Sequence, residues 1–355
     1  MELKGNPEII SWNVTLKCPL ACPHCYAGAG TEVPGVLSTP EAFGVIDQIC
    51  TMGNPVVVLS GGEPLMRRDL FDIARYGSSR GLRMALGTSG YLFVRETARR
   101  LKQAGIGAVA VSIDAADPQV HDRFRGRAGS WEHAVRALRF CRDEGIRTRI
   151  NTTVQSGDIA PIEEIVSLGT RLGVRDYQVF FPVPAGRAQA GAIAAPAEQE
   201  RLIGELLHRY GDGPVHVRPT CAPQFVRIAD QLGIRNAAKD RGCIAGIRYC
   251  RIYADGEVTP CPYLPVTAGN VIETPLIRIW QDSPLFAALR DPDRLTGRCG
   301  RCMYRRSCGG CRARAFGMSA AANGLCGGLV RPVSPAGEIC GQDPSCGYEP
   351  GVAQV

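Results

Sequence analysis

The chain has 355 residues, 45% of them apolar, and a formal net charge of +7, a length that suits two modules or one barrel with an appendage. The charge is spread through Arg-rich stretches, which argues against nucleic acid as a partner and is compatible with an anionic small substrate. MELKGNPEII has no basic stretch followed by an apolar run, and no segment approaches about 18 uninterrupted apolar residues, so a cytoplasmic protein with no membrane contact is expected. Sixteen cysteines stand out, and without a secretory signal metal or redox chemistry displaces a disulfide framework.

From residue 9 to about residue 210, short apolar runs alternate with amphipathic stretches, the pattern of repeated β-α units around a parallel sheet. The strands expected are residues 9–15, 56–59, 83–87, 108–113, 147–154 and 176–181, and the helices 39–51, 69–80, 93–104, 130–144, 161–172 and 196–210. Ser38-Thr39-Pro40-Glu41 opens the first helix with a capping signal, Ser130 marks the start of the fourth, and Gly53, Gly81, Gly105, Gly145 and Gly173 follow helix ends. Six such units predict an α/β fold, a partial (β/α)6 TIM-like barrel over residues 1–214. Residues 185–199, rich in small side chains, read as a mobile crossing, and 215–242 as a connector. Residues 243–355 hold ten of the sixteen cysteines among many Gly and Pro, the composition of a small irregular domain held by metal. Within it, residues 320–342 read as a long surface loop.

In ISWNVTLKCPLACPHCYAG, Cys18, Cys22 and Cys25 crowd into eight residues after a strand. A [4Fe-4S] cube takes four cysteines, so three local ligands leave one iron open. The alternatives are zinc, which wants a fourth nearby Cys or His while His24 sits awkwardly between two ligands, and buried inert thiols. An open iron suits a ligand offering an amine and a carboxylate together. Ser60-Gly61-Gly62-Glu63-Pro64 at the second strand end, Gly87-Thr88-Ser89-Gly90 at the third, Ser112 and Asp114 at the fourth, and Asn151 at the fifth all fall where β/α barrels build sites.

These motifs resemble the radical S-adenosylmethionine (SAM) superfamily. The resemblance implies a [4Fe-4S] cluster on Cys18, Cys22 and Cys25 that cleaves SAM reductively. It implies contacts to SAM from Gly61, Gly62, Glu63, Ser89, Ser112 and Asn151, and from Arg125, whose planar fork would pair with the SAM carboxylate. A bare Gly-Gly turn and a solvated Arg125 are the plainer readings of those two features.

Two further patterns lie in the last third: Cys243-x12-Gly256-x4-Cys261, and Cys299-x2-Cys302-x5-Cys308-x2-Cys311, with Cys326, Cys340 and Cys346 beyond. They resemble the SPASM domain, which binds two auxiliary [4Fe-4S] clusters, although one residue is missing before Cys311. The family topology implies one auxiliary cluster on Cys243, Cys250, Cys261 and Cys311, and a second on Cys299, Cys302, Cys308 and Cys346, with Cys340 or Cys326 able to replace Cys346. Zinc-ribbon ligation is the plain alternative for two CxxC pairs. Cys50 and Cys141 read as core hydrophobes. Cys221, between Pro219 and Pro223, is either a thiol presented to the substrate or plain packing.

HDRFRGRAGSW, VFFPVPAGR, PTCAPQF and CGGCRARA extend the resemblance to the branch containing the haem synthase of the alternative haem pathway. That branch implies oxidative decarboxylation of two propionates of iron-coproporphyrin III, an anionic tetrapyrrole, with ferredoxin or flavodoxin as electron donor. Basic groups such as Arg187 and Arg218 would clamp the propionates. Related tetrapyrrole chemistry (haem d1 or didecarboxysirohaem) and maturation of a ribosomal peptide are the alternatives, and an iron-sulfur electron carrier is the non-enzymatic one.

Overall fold

The computed structural model describes residues 5–31, 34–188, 194–322 and 339–351. The middle of the expected crossing, most of the expected loop at 320–342, and Cys326 lie outside the described residues.

Six strands follow the expected order: β1 (Ile9–Asn13), β2 (Val56–Ser60), β3 (Arg83–Thr88), β4 (Ile106–Ser112), β5 (Arg147–Thr153) and β6 (Asp176–Phe180). They pair in parallel with their sequence neighbours. The helices are α1 (Thr39–Cys50), α2 (Leu70–Ser79), α3 (Arg95–Gln103), α4 (Pro118–Arg125), α5 (Ser130–Asp143), α6 (Ala160–Arg171) and α7 (Pro196–Tyr210). Ser38 closes a capping box with Glu41 at the start of α1. Gly53, Gly81, Gly105, Gly145 and Gly173 all take positive φ after helix ends, where a side chain would be strained.

α4 and a seventh strand are additions to the expected β-α units. In α4, Asp122 caps the next helix: its carboxylate accepts from Gly129 N (2.6 Å), Trp131 N and Ser130 Oγ (both 2.8 Å). The start of α5 is therefore held by Asp122, with Ser130 as its first helical residue. Residues His216–Thr220, inside the expected connector, form a seventh parallel strand, β7, on β6. Pro219 weakens that strand's signature and is tolerated because β7 ends the sheet.

At the opposite edge, β8 (Tyr249–Ile252) pairs in parallel with β1, and β9 (Glu257–Thr259) and β10 (Gly269–Asn270) add antiparallel strands. The order β10-β9-β8-β1-β2-β3-β4-β5-β6-β7 is one open sheet running from the barrel into the cysteine-rich region. Outward-facing Ile10, Trp12, Val57, Leu59, Leu86, Val109, Val111, Ile150 and Val179 are fully buried. The inward row (Val58, Ser60, Ala85, Gly87, Ala108, Ala110, Ser112, Asn151 and Gln178) is only half-buried. Its small residues on β3 and β4 leave a lumen.

Gln48 in α1 ties barrel to C-terminal region, donating to Val271 O (3.0 Å) and accepting from Leu276 N (2.8 Å). Replacing Gln48 with Ala leaves both backbone groups unpaired and is expected to cost about 2 kcal/mol. Anaerobic thermal unfolding should show a melting temperature lower by several degrees.

Candidate active site

The first three cysteines sit on the loop leaving β1. Cys18 N donates to Gly30 O (3.1 Å), Gly30 N to Leu16 O (3.0 Å) and Cys25 N to Cys22 O (3.3 Å), so the loop folds back on itself. The Gly-Gly-Glu turn after β2 holds it from the side: Gly62 N donates to Thr15 O and Glu63 N to Lys17 O, both at 2.8 Å. A Cβ on Gly61 would stand 2.3 Å from Thr15 O, and one on Gly62 2.4 Å from Lys17 O. Gly61 also has φ +151. The glycines thus serve first to bring this turn against the cysteine loop.

Glu63 is fully buried and accepts from Thr88 Oγ1 (2.7 Å), Ser89 N (3.0 Å) and Ser89 Oγ (2.5 Å), locking the β2 and β3 ends together. Burial raises its carboxyl pKa against those hydrogen bonds. Ser112 and Asn151 are register partners across β4 and β5, and Asn151 Oδ1 is buried without a partner, an acceptor facing the lumen.

Arg125 departs from its expected role. Its guanidinium is committed to the fully buried Asp114 (2.5 Å) and reaches Cys22 Sγ (3.8 Å), so it braces the cysteine loop and is not open for a SAM carboxylate. His24 stacks on Phe124 at 4.2 Å. Burial, then the Arg125 charge, pushes His24 and His121 down to about 4 and keeps both neutral. Arg187 is likewise no propionate clamp: it donates to Cys22 O (2.9 Å) and Ala29 O (2.7 Å). Arg218 pairs with Asp240 (2.6 Å).

Eight of the remaining described cysteines form two groups of four. Cys243, Cys261 and Cys311 feel one another's charge, and the thiol that joins them is Cys221. Cys250 does not. It lies in β8 opposite Ile10, fully buried in the apolar core, with Arg290 as its charged neighbour. Cys221 has φ +59, the sole described non-glycine with positive φ, a strain that turns the chain after β7. Its carbonyl accepts from Arg314 Nη2 (2.5 Å). Cys299, Cys302, Cys308 and Cys346 line one cleft with Arg227 and Asp343. Cys340 faces Arg312, Arg294 and Asp291 instead. Cys141 is buried in the core and Cys50 packs against it.

The short spacing before Cys311 has a structural reason. Gly309 and Gly310 take φ +73 and +60, and a Cβ on Gly310 would meet Arg312 Nη2 at 2.3 Å and Cys299 Sγ at 3.0 Å. The turn sends Cys308 to one group and Cys311 to the other. Asp343 joins them: its carboxylate accepts from Cys311 N (2.7 Å) and pairs with the fully buried Arg314, while its own N–H donates to Cys299 Sγ (3.3 Å).

Among the described residues no three Cys, His, Asp or Glu side chains converge as a single ion requires; thiolates on the corners of a cluster stand farther apart. Burial lifts Cys18, Cys311 and Cys346 to about 11, and Cys221, Cys261 and Cys308 higher. These thiols hold their protons at neutral pH until a cation takes them, the behaviour of metal ligands buried in a fold.

Comparison with known proteins decides the family. The radical SAM superfamily profile matches residues 12–168, and that of the SPASM iron-sulfur cluster-binding domain residues 243–303. An AdoMet-dependent heme synthase from Methanosarcina barkeri is 37% identical over 99% of both chains. This chain belongs to the radical SAM superfamily. A radical SAM enzyme uses SAM and a [4Fe-4S] cluster, and the SPASM domain adds iron-sulfur capacity. An Fe-coproporphyrin III synthase from the same organism is 30% identical over 86% of this chain and 83% of its own. In fold, the chain is similar to Streptococcus suis SuiB bound to S-adenosylmethionine, at TM-score 0.72 and 17% identity over 97% of this chain and 78% of that one. No described helix is long and apolar enough to cross a membrane.

Because the thiols must lose protons to bind iron, cluster retention should fall as pH falls. Iron remaining after a chelator challenge is expected to be lower in mildly acidic than in mildly basic buffer. Arg187→Ala frees Cys22 O and Ala29 O and should lower both retained iron and 5′-deoxyadenosine formation severalfold, read by iron analysis and chromatography.

Proposed function

We propose that this radical SAM enzyme oxidatively decarboxylates two propionate side chains of iron-coproporphyrin III to vinyl groups, giving haem b. The observation that carries the substrate is the end-to-end 37% identity to the AdoMet-dependent heme synthase, 99% of each chain being covered. The half-buried lumen walled by Ala85, Gly87, Ala108 and Ala110 supports it by leaving room for a bulky ligand.

In this reading Cys18, Cys22 and Cys25 hold the [4Fe-4S] cluster. With SAM bound, that group supplies one-electron reduction and a hydrogen-abstracting radical. The Gly61–Glu63 turn, Ser89, Ser112 and Asn151 shape the SAM pocket; Arg125 and Arg187 keep the cysteine loop in register with it. Loss of a hydrogen atom from the propionate β-carbon leaves –CH•–CH2–COO−, and this becomes –CH=CH2, CO2 and one electron. Cys221, Cys243, Cys261 and Cys311 would hold one further [4Fe-4S] cluster and Cys299, Cys302, Cys308 and Cys346 another, and such groups would supply one-electron oxidising capacity. Cys221 thus passes from a substrate-site thiol to a ligand, and Cys250 leaves the ligand set. Hydrogen bonds to sulfur from Asp343 N, Arg312 Nη2 (3.6 Å) and Arg314 N (3.4 Å) would raise the potentials of the two centres. We assign the external reductant to a ferredoxin or flavodoxin and the protein to the cytoplasm.

Anaerobic incubation of the reconstituted enzyme with iron-coproporphyrin III, SAM and dithionite should give, by mass spectrometry, a product that has lost two carboxyl groups. SAM cleavage without that product, or with modification of a short peptide instead, overturns the substrate. The ligand assignment has its own test. Cys221→Ala should lose about a third of the bound iron, four of about twelve atoms if three clusters load, whereas Cys250→Ala should keep all of it.

A further inference from the structure

Among the described residues five arginines are buried to below a tenth of their surface: Arg67, Arg227, Arg251, Arg312 and Arg314. Arg67 pairs with Asp69, Arg227 with Glu200 and Arg314 with Asp343. Arg312 reaches the sulfur of Cys299. Arg251, 2% exposed, has neither a carboxylate within ion-pair distance nor a thiol partner among the described residues. Its guanidinium donates to neutral oxygens, Asn13 Oδ1, the Tyr26 hydroxyl and Ser11 Oγ (3.4 Å), and its Nε has no acceptor. It lies over the rings of Tyr26 (4.6 Å) and Tyr253 (5.4 Å). Burying a guanidinium against neutral oxygens and rings is costly. A bound anion would offset that cost.

The place matters as much as the charge. Arg251 is the register partner of Ser11 across β8 and β1, on the lumen face. Tyr26 directly follows Cys25, and Tyr263 lies two residues after Cys261. The two rings meet edge-on at 5.4 Å. Tyr263 feels the charges of Cys221, Cys261 and Arg251 together. Arg251 therefore sits between the first cysteine loop and the Cys221–Cys261 group, with half-buried Tyr26, Tyr249 and Tyr263 around it as a rim.

We propose that Arg251 is the anchor for a carboxylate of the substrate, and that Tyr26 and Tyr263 are its rim. The inference rests on the tetrapyrrole reading above and adds which residue orients the substrate. A cation paired to the departing carboxylate would hold its negative charge and oppose CO2 release. The carboxylate on Arg251 is therefore one that the product retains, and holding it selects which propionates face the SAM site. Arg251 is in this sense a specificity residue.

The test uses the reconstituted holoenzyme and two probes, iron-coproporphyrin III and its tetramethyl ester, with binding followed by absorbance. Arg251→Gln should bind the acid at least tenfold more weakly than the unaltered enzyme, while both bind the ester equally. Iron content and the electron paramagnetic resonance of the reduced clusters should match the unaltered enzyme. An equal loss with acid and ester, or no loss with the acid, overturns the proposal. If Arg251→Gln fails to load iron, Arg251→Lys decides: the point charge without the fork should raise the KM for the acid severalfold and increase the share of wrongly placed monovinyl product. An unchanged KM and product pattern overturns it. Should the unaltered enzyme bind the acid but not decarboxylate it, the reaction reading fails while the anchor is still measured by binding.

Discussion

Two backbone hydrogen bonds, Gly62 N to Thr15 O and Glu63 N to Lys17 O, fix the cysteine loop against the end of β2. They exist because two consecutive residues carry no Cβ; any side chain would stand within 2.4 Å of a carbonyl oxygen. Everything around the first thiol group is arranged from this contact. Glu63 carries the constraint to β3 through Thr88 and Ser89. From the other side, Arg125 and Arg187 fasten Cys22 by its sulfur and its carbonyl. The loop carrying the three thiols is thus held by backbone and guanidinium contacts, with the His24 ring stacked on Phe124 beside them.

The C-terminal thiols obey a similar rule with different parts. Their groups are separated by one turn, Cys308-Gly309-Gly310-Cys311, and rejoined by one ion pair, Arg314–Asp343. Buried ion pairs add little net stability, but breaking one strands a charge. This one also donates to or accepts from Cys221, Cys299 and Cys311, so displacing it disturbs both groups at once. The relative placement of the two thiol groups is thereby tied to two residues, Arg314 and Asp343.

Much of this was legible from the residues. Strand-end motifs are local, and the alternation that places Ser112, Asn151 and the Gly-Gly-Glu turn at one mouth follows from β-α periodicity. What failed was long-range. Cys250 enters the expected ligand set through the family resemblance, yet Tyr249-Cys250-Arg251-Ile252-Tyr253 alternates as a strand, and that period places Cys250 with Ile252 on the apolar face and Arg251 on the other. The flanking prolines single out Cys221, but nothing local shows that the turn after β7 brings it beside Cys243, Cys261 and Cys311. Arg125 and Arg187 bear the marks of ligand clamps in the sequence because an Arg near a site has no signature separating a brace from a binding group. β7 was obscured by Pro219, a residue an edge strand permits.

The pairing of β8 with β1 has a consequence for how the protein is made. β1 is synthesised long before β8, so one of its two edges has no partner until residues 249–252 follow. For the intervening synthesis the strand that leads into Cys18 presents an open hydrogen-bonding edge, the kind of surface that templates misassembly. The first thiol loop therefore gains its final support only after most of the chain exists. A fragment ending before β8 would carry all three of those cysteines and still lack the strand that steadies them.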